Sequence, residues 1–274
     1  MQFFTPQDDF LKIIQQHLPN AIVDSLTLVK TGWTNFVTCV SDGENEYFFR
    51  FPRNQFFARM MLKDHAFCTF AADKVRFKFP HLKIFYDKDR PFSMHKKIQG
   101  WTLAERIKFL SRQAITNLAY DIAKFIQELS KIDPNTLPYL CRMPVSQFLD
   151  ELPSTQFNAY DLKQHDFLRQ LESHAQVVHG DLNPGNIILD ENDKMTGVID
   201  FAFSGVSNSY VDLSRIIGRS SEAFEKPIME AYREIVDDKV NAEYMQKLKS
   251  MWNYVDRQYI NYMRVKHPEI QLPS

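Results

Sequence analysis

Between Val177 and Asp200 the chain carries oxygen-bearing side chains in a fixed order: His179-Gly180-Asp181-Leu182-Asn183-Pro184-Gly185-Asn186, two apolar runs, then Asp200. Ile187-Ile188-Leu189 and Thr196 to Ile199 read as the arms of a hairpin around Asp190-Glu191-Asn192-Asp193-Lys194, apolar strands flanking a polar turn. Such a hairpin returns Asp200 to the side of Asn186. A hard cation such as Mg²⁺ takes one or two carboxylate or amide oxygens from a protein and fills its other positions with water and phosphate oxygens. Asn186 and Asp200 suit that task. Asp181, five positions before Asn186, suits the acceptance of a proton from an attacking hydroxyl. Phosphoryl transfer asks for this combination: a hydroxyl aimed in line, developing charge neutralised, and little covalent help. A plain loop with Asp and Asn serving turns explains any one of these residues, but not the ordered set.

Holding such groups around a cleft takes a chain with a large core, and 274 residues allow one large domain or two lobes. The net charge of −1, from 33 Lys and Arg against 34 Asp and Glu, gives no global field for nucleic acid or an acidic membrane. Any charged partner is met locally. Cys39, Cys68 and Cys141 are odd in number and far apart, which fits neither a disulfide framework nor paired zinc ligands and predicts reduced thiols. No apolar run approaches the roughly 18 residues of a membrane span, and Met1 to Pro6 lacks the order of a signal peptide. The expectation is a cytoplasmic protein.

Phe10, Ile13, Ile14 and Leu18 predict a short opening helix. Leu26 to Lys30, Phe36 to Val40 and Tyr47 to Phe51 predict an antiparallel meander with a turn at Asp42-Gly43. Met60 to Ala72 reads as a helix with Met61, His65, Cys68 and Ala72 on one side, followed by strands at Leu82 to Tyr86 and Phe92 to Ile98. After Gly100 helical periods dominate. The clearest is Ile115, Leu118, Ile122, Phe125, Ile126 and Leu129, the stripe of a central helix. Trp252, Val255, Tyr259 and Tyr262 predict a packed aromatic face near the end.

His179-Gly180-Asp181 through Asn186, followed by Val198-Ile199-Asp200-Phe201, resembles the aminoglycoside phosphotransferase and choline kinase superfamily, whose fold is similar to that of protein kinases. With Val211-Asp212-Leu213 downstream, the nearest likeness is to aminoglycoside and macrolide kinases. The resemblance implies a bilobal α+β fold: a small antiparallel-sheet lobe over residues 1–95 for the nucleotide, a hinge at 96–99, and a larger, mainly helical lobe over 100–274 for catalysis and the acceptor. It also implies a catalytic base at Asp181, Mg²⁺ held by Asn186 and Asp200, ATP or GTP as donor, and His179 and Asp212 as organisers of the loop. In the first lobe, Thr31-Gly32-Trp33-Thr34-Asn35 matches the place of the loop that covers the nucleotide, which makes Gly32, Thr34 and Asn35 candidate phosphate contacts. Arg50 falls where relatives usually carry a phosphate-binding lysine. The matching helix offers Lys63-Asp64-His65-Ala66 in place of a glutamate, so the partner of Arg50 is Asp64, His65 or absent. Lys96 and Ile98 are expected to meet the adenine edge through their backbone.

A polycationic acceptor needs carboxylates around it, because ammonium groups desolvated without partners are costly. From Arg215 to the end there are ten Lys or Arg against nine Asp or Glu, so composition demands no acidic pocket; Asp150, Glu151, Glu222 and Glu225 are the local candidates. Three readings follow. One is an O-phosphotransferase acting on a small hydroxylated compound, with an aminoglycoside-like antibiotic foremost. A second is a kinase of a metabolic amino alcohol, sugar or vitamin. A third, motivated by Arg50 and the missing glutamate, is a nucleotide-binding pseudokinase that works through partners. A protein kinase is disfavoured, because no segment after Asp200 resembles an activation loop ending in Ala-Pro-Glu.

Overall fold

A computed structural model describes residues 3–29, 34–142, 149, 158–173, 175–236, 239–240, 242–266 and 268. The chain opens with α1 (Phe10–His17), which starts where the Asp9 carboxylate accepts the Lys12 N–H at 3.0 Å. Strands β1 (Thr27–Val29), β2 (Asn35–Ser41), β3 (Glu46–Pro52), β4 (Lys83–Asp87) and β5 (Arg90–Lys96) form one antiparallel sheet in the order β1-β2-β3-β5-β4. Phe36, Phe49, Phe51 and Phe92 pack with Phe4, Ile13 and Ile14 into a small core, so α1 closes one face of the sheet.

Helix α2 (Gln55–Ala71) separates β3 from β4, and its chain crossover lets β5 insert beside β3. It begins five residues before the expected start, because Asn54 Oδ1 caps the Phe57 N–H at 2.9 Å. Its buried face is Phe57, Met61, Asp64, Phe67, Cys68 and Ala71. His65, expected on that face, is half-buried, and Ala72 is the exposed residue just past the helix. The face was misplaced because a charged residue, Asp64, belongs to it.

The second region begins with β6 (Trp101–Thr102), paired with β8 (Ile187–Leu189), which in turn pairs with β9 (Met195–Val198). Thr102 and Glu105 form a reciprocal cap on the short helix α3 (Leu103–Arg106). In α4 (Arg112–Ser130) the stripe Leu118, Ile122, Phe125, Ile126 and Leu129 is at most 1% exposed. At roughly 1.5–3 kcal/mol for each large apolar side chain buried, that face fixes α4 at the centre of the lobe. Around it lie α5 (Ala159–Glu172), the strand pair β7 (Gln176–Val178) and β10 (Gly205–Ser207), α6 (Tyr210–Arg219), α7 (Glu222–Ile235) and α8 (Ala242–Lys266). Trp252, Val255, Tyr259 and Tyr262 of α8 are buried as expected of a core face, and Trp252 Nε1–H donates to the Val211 carbonyl at 3.0 Å. Among the described residues no helix is long and apolar enough to cross a membrane, and all three cysteines are free.

Candidate active site

The loop after β7 is held by a carboxylate from another element. The His179 and Gly180 N–H groups both donate to Asp212 of α6, each at 2.8 Å. Burial pushes the Asp212 carboxyl upward, and these two N–H groups offset part of that push. His179 Nδ1 accepts the Asp181 N–H at 3.2 Å, so Nε2 carries the hydrogen and donates to the Ile199 carbonyl at 3.0 Å. One imidazole thereby ties the Asp181 loop to the strand end that delivers Asp200. Gly180 has φ +80°, and a Cβ there would lie 2.3 Å from the Phe203 carbonyl oxygen, so a side chain is excluded. His179 and Gly180 of the His-Gly-Asp order thus each have a structural reason.

Asn183 Oδ1 accepts the Gly185 N–H at 2.8 Å and starts the turn that ends at Asn186. Asn186 Nδ2 donates to the Asp181 carbonyl at 2.9 Å and lies 3.4 Å from Asp181 Oδ2, which leaves Asn186 Oδ1 as the atom that could ligate a cation. The Ile199 N–H donates to the Asn186 carbonyl at 2.9 Å, so the hairpin closes and Asp200 emerges beside Asn186. Asp200 has φ 66° and ψ 66°, a left-handed conformation that aspartate tolerates better than most residues. Phe201, fully buried and stacked on Phe67 of α2 at 5.1 Å, anchors this turn.

Arg50 of β3 bridges the two regions. Its Nη1 donates to Asp64 Oδ2 at 2.5 Å and its Nη2 to Asp200 Oδ1 at 3.3 Å. The second oxygen of Asp64, whose side chain is 0% exposed, accepts the Phe201 N–H at 3.1 Å. Asp64 therefore grips both the cation and the turn behind Asp200. Burial weakens the charged form of Arg50, but Asp64 and Asp200 outweigh it and hold the guanidinium more firmly protonated than usual. For Asp200 the balance runs the other way: enclosure in the cleft, then Asp64 and Asp181 nearby, push its carboxyl upward against the pull of Arg50. Its side chain is still 41% exposed, toward the cavity it lines, so a ligand can reach it. A divalent cation would relieve this crowding of carboxylates. Among the described residues no group of three or more His, Cys, Asp or Glu side chains could hold a metal alone. The Asn186 and Asp200 oxygens fit a Mg²⁺ that takes its remaining ligands from phosphate and water.

Above Asp200 a cavity of about 580 Å³ runs under the sheet, within the range of nucleotide-sized pockets. Of the expected contacts, Thr34, Asn35, Arg50 and Ile98 line it. Asn35 Nδ2 donates to Thr34 Oγ1 at 2.9 Å, and its buried Oδ1 has no hydrogen-bond partner among the described residues. Lys96 ends β5 opposite Tyr47, while its neighbours His95 and Lys97 line the cavity, because alternate residues of extended chain point to opposite sides. The Lys97 ammonium turns back to Glu46 Oε2 at 2.7 Å. Gly32, Asp150 and Glu151 lie outside the described residues. Glu222 and Glu225 line a separate surface hollow with Lys226 and Arg233, and Glu225 is already paired with Lys249 at 2.6 Å.

Over residues 25–247 the chain matches the model of the phosphotransferase enzyme family. The chain belongs to this family. It is a small-molecule phosphotransferase of mixed α+β, kinase-like fold. The GDP and kanamycin complex of APH(2")-IIIa superposes with a TM-score of 0.71 at 20% identity, covering 95% of this chain and 93% of that one. The apoenzyme of macrolide 2'-phosphotransferase MphH from Brachybacterium faecium gives a TM-score of 0.70 at 14% identity, covering 94% and 93%. A macrolide 2'-phosphotransferase type I gives 0.66 at 13% identity over 100% of both chains. At such identities the likeness shows the fold.

The phosphotransferase carries contacts at the cleft that sequence reasoning missed. Arg215 of α6 donates to Asp181 Oδ1 through Nε at 2.8 Å and Nη2 at 2.8 Å, and through Nη1 to Asp256 of α8 at 2.5 Å. Arg219 Nη2 takes the other Asp256 oxygen at 2.5 Å. A signal was present. Arg215 follows Asp212 by three residues on one helix, and side chains at that spacing share a face. Once Asp212 is assigned to the catalytic loop, Arg215 must point the same way.

Proposed function

We propose that this phosphotransferase moves the γ-phosphate of ATP or GTP to a hydroxyl of a small acceptor, with Mg²⁺ held by Asn186 and Asp200. The observation that carries the reading is that the Asn186 amide holds the Asp181 carbonyl while the Asn186 carbonyl takes the Ile199 N–H, which gathers Asp181 and Asn186 beside Asp200, the member of the three that lines the cavity. Asp181 accepts the acceptor's hydroxyl proton and aims its oxygen at phosphorus. Arg50, fixed by Asp64, presents donors beside Asp200 toward phosphate oxygens. Asn35 and Thr34 sit where the covering loop meets the phosphates, and the unpartnered Asn35 Oδ1 is an acceptor for a ligand donor. A Mg²⁺ held by Asn186 and Asp200 would supply neutralisation of the charge on the phosphate oxygens. Residues 1–95 then serve as the nucleotide lobe, 96–99 as the hinge and 100–274 as the acceptor lobe.

An aminoglycoside-like or macrolide-like antibiotic is the first acceptor class to test, since solved structures of similar fold are phosphotransferases of those compounds. A second reading, a metabolic acceptor of low positive charge, has an observation in its favour. Two carboxylates of the second lobe are already neutralised, Asp256 beside Asp181 by Arg215 and Arg219, and Glu225 of the separate hollow by Lys249. Ammonium groups would have to displace these cations. Release of ADP or GDP over a panel of both classes separates the readings, and host growth on antibiotic plates checks the first independently. Asp181→Asn should lower turnover by about 10²- to 10⁴-fold with nucleotide affinity retained. Unchanged turnover in that variant ends the assignment of Asp181 as base.

A further inference from the structure

Asp181 is not the free tip of a loop. Its Oδ1 takes two donors from Arg215 at 2.8 Å each, while the nearest donor to Oδ2 is Asn186 Nδ2 at a long 3.4 Å. Arg215 has no conformational slack. Its side chain is 14% exposed, its third nitrogen, Nη1, donates to Asp256, and its guanidinium carbon lies 4.9 Å from the centre of the Trp252 ring. Trp252 is fixed in turn by its bond to the Val211 carbonyl, and Asp256 by Arg219. A side chain that served the acceptor would turn donors toward the open cleft; every nitrogen of this one is committed to an acid.

We infer that Arg215, locked by Asp256 and Trp252 of α8, is a positioning residue that sets the rotation of the Asp181 carboxylate and leaves Oδ2 as the oxygen facing the acceptor hydroxyl. The inference rests on the reading of Asp181 as the base. A planar fork grips one oxygen from two directions and so fixes the plane of the carboxylate, which a point charge such as lysine does not. Misaiming a reacting group by about 1 Å costs on the order of 10²-fold in rate, so the fork belongs to the rate of the chemical step and not to nucleotide affinity. Helix α8, whose Asp256 stands 75 residues beyond Asp181, thereby contributes to turnover without touching the nucleotide cavity.

The full-length enzyme can be tested with water as the acceptor, by following ADP or GDP release from Mg²⁺-ATP or Mg²⁺-GTP. Arg215→Ala should lose about 10- to 100-fold in kcat with little change in KM for nucleotide. A cavity of about 120 Å³ borders Arg215, Arg219, Trp252 and Asp256, room for a guanidinium ion once the side chain is cut back. Millimolar guanidinium should therefore restore turnover to Arg215→Ala severalfold and do nothing for Asp181→Asn. Adding Arg215→Ala to Asp181→Asn should cost nothing more. Should Arg215→Ala unfold, Asp256→Asn carries the test, with a smaller loss in kcat at constant KM. The inference fails if folded Arg215→Ala or Asp256→Asn keeps wild-type kcat while Asp181→Asn is inactive, if guanidinium gives no rescue, or if the two losses multiply in full. Wild-type turnover in Asp181→Asn would instead overturn the assignment of the base.

Discussion

Asp64→Asn is the sharpest probe of the link between sheet and catalytic loop. The substitution keeps the shape and one oxygen, so the Phe201 N–H can retain its acceptor at Oδ1. It replaces the oxygen that receives Arg50 with an NH₂ group facing a guanidinium only 17% exposed. Removing one partner of a buried ion pair costs about 3–5 kcal/mol, because the other charge stays buried. Arg50 keeps Asp200 as a second acceptor at 3.3 Å, which places the loss near the lower end, about 3 kcal/mol. For a chain of this size that is a fall of roughly 6–12 °C in Tm. A second effect follows: Arg50 shifts its whole charge onto Asp200 and competes there with a divalent cation. Mg²⁺-nucleotide affinity, measured by calorimetry, should drop about tenfold or more, while affinity for nucleotide without metal changes less. In Arg50→Met/Asp64→Asn the stranded charge is gone, so thermal and urea unfolding should show the double variant more stable than Asp64→Asn alone. A single variant within about 0.5 kcal/mol of wild type, or metal-nucleotide affinity unaltered, would refute the role given to this pair.

Other perturbations test the remaining joints. Asp200 has a carboxyl raised by its enclosure, so the folded state favours its neutral form; stability is lost as pH rises from the ordinary carboxylate value toward the raised one. Asp200→Asn should therefore raise the Tm of the ligand-free protein at neutral pH, lose that advantage in acid, and abolish the further stabilisation given by Mg²⁺-nucleotide, all readable by thermal shift. Burial depresses the Lys63 ammonium to about 8 from 10.5, so the unfolded chain binds more protons between those values and stability should climb with pH across that window. Lys63→Met should flatten that climb in urea unfolding at pH 7.5 to 10.5; an unchanged slope would show that another group causes it. Gly180→Ala places a methyl 2.3 Å from the Phe203 carbonyl at a positive φ and should cost about 2–4 kcal/mol as well as turnover, checked by unfolding and product release.

Local patterns made most of the fold legible. The α4 stripe repeats at helical spacing in a single helix, and the β2–β3 hairpin carries its Gly43 turn, φ +99°, within the sequence. The start of α2 was less legible, because one asparagine cap decides it, and its inner face was misread because burial there is set by a charge partner in β3. The site divides in the same way. Asn186 and Asp200 flank one hairpin, so their meeting follows from strand pairing, and Asp181 stands only five residues before Asn186. Arg215 and Asp256 stand 34 and 75 residues beyond Asp181, and only the packing of α6 on α8 brings them to it.

Arg50 and Asp64 illustrate why departures from a family pattern are better weighed in pairs. Taken singly, an arginine for the usual lysine and an aspartate for the usual glutamate each weaken the expected ion pair, and together they motivated the pseudokinase reading. In space they compensate. Arginine reaches one bond farther than lysine and aspartate one bond less than glutamate, so the span between strand and helix is preserved, and the contact closes at 2.5 Å. The exchange also adds something lysine lacks: a second nitrogen, free to meet Asp200 at 3.3 Å while the first stays on Asp64. The shorter acid leaves an oxygen for the Phe201 N–H, so one side chain sets both the cation and the turn that presents Asp200. The pair thus favours a working phosphate site over a silenced one, and it predicts that restoring lysine alone at Arg50 would impair the enzyme, while Arg50→Lys combined with Asp64→Glu would recover Mg²⁺-nucleotide binding in calorimetry. Recovery by Arg50→Lys alone would show that reach is not what couples these positions.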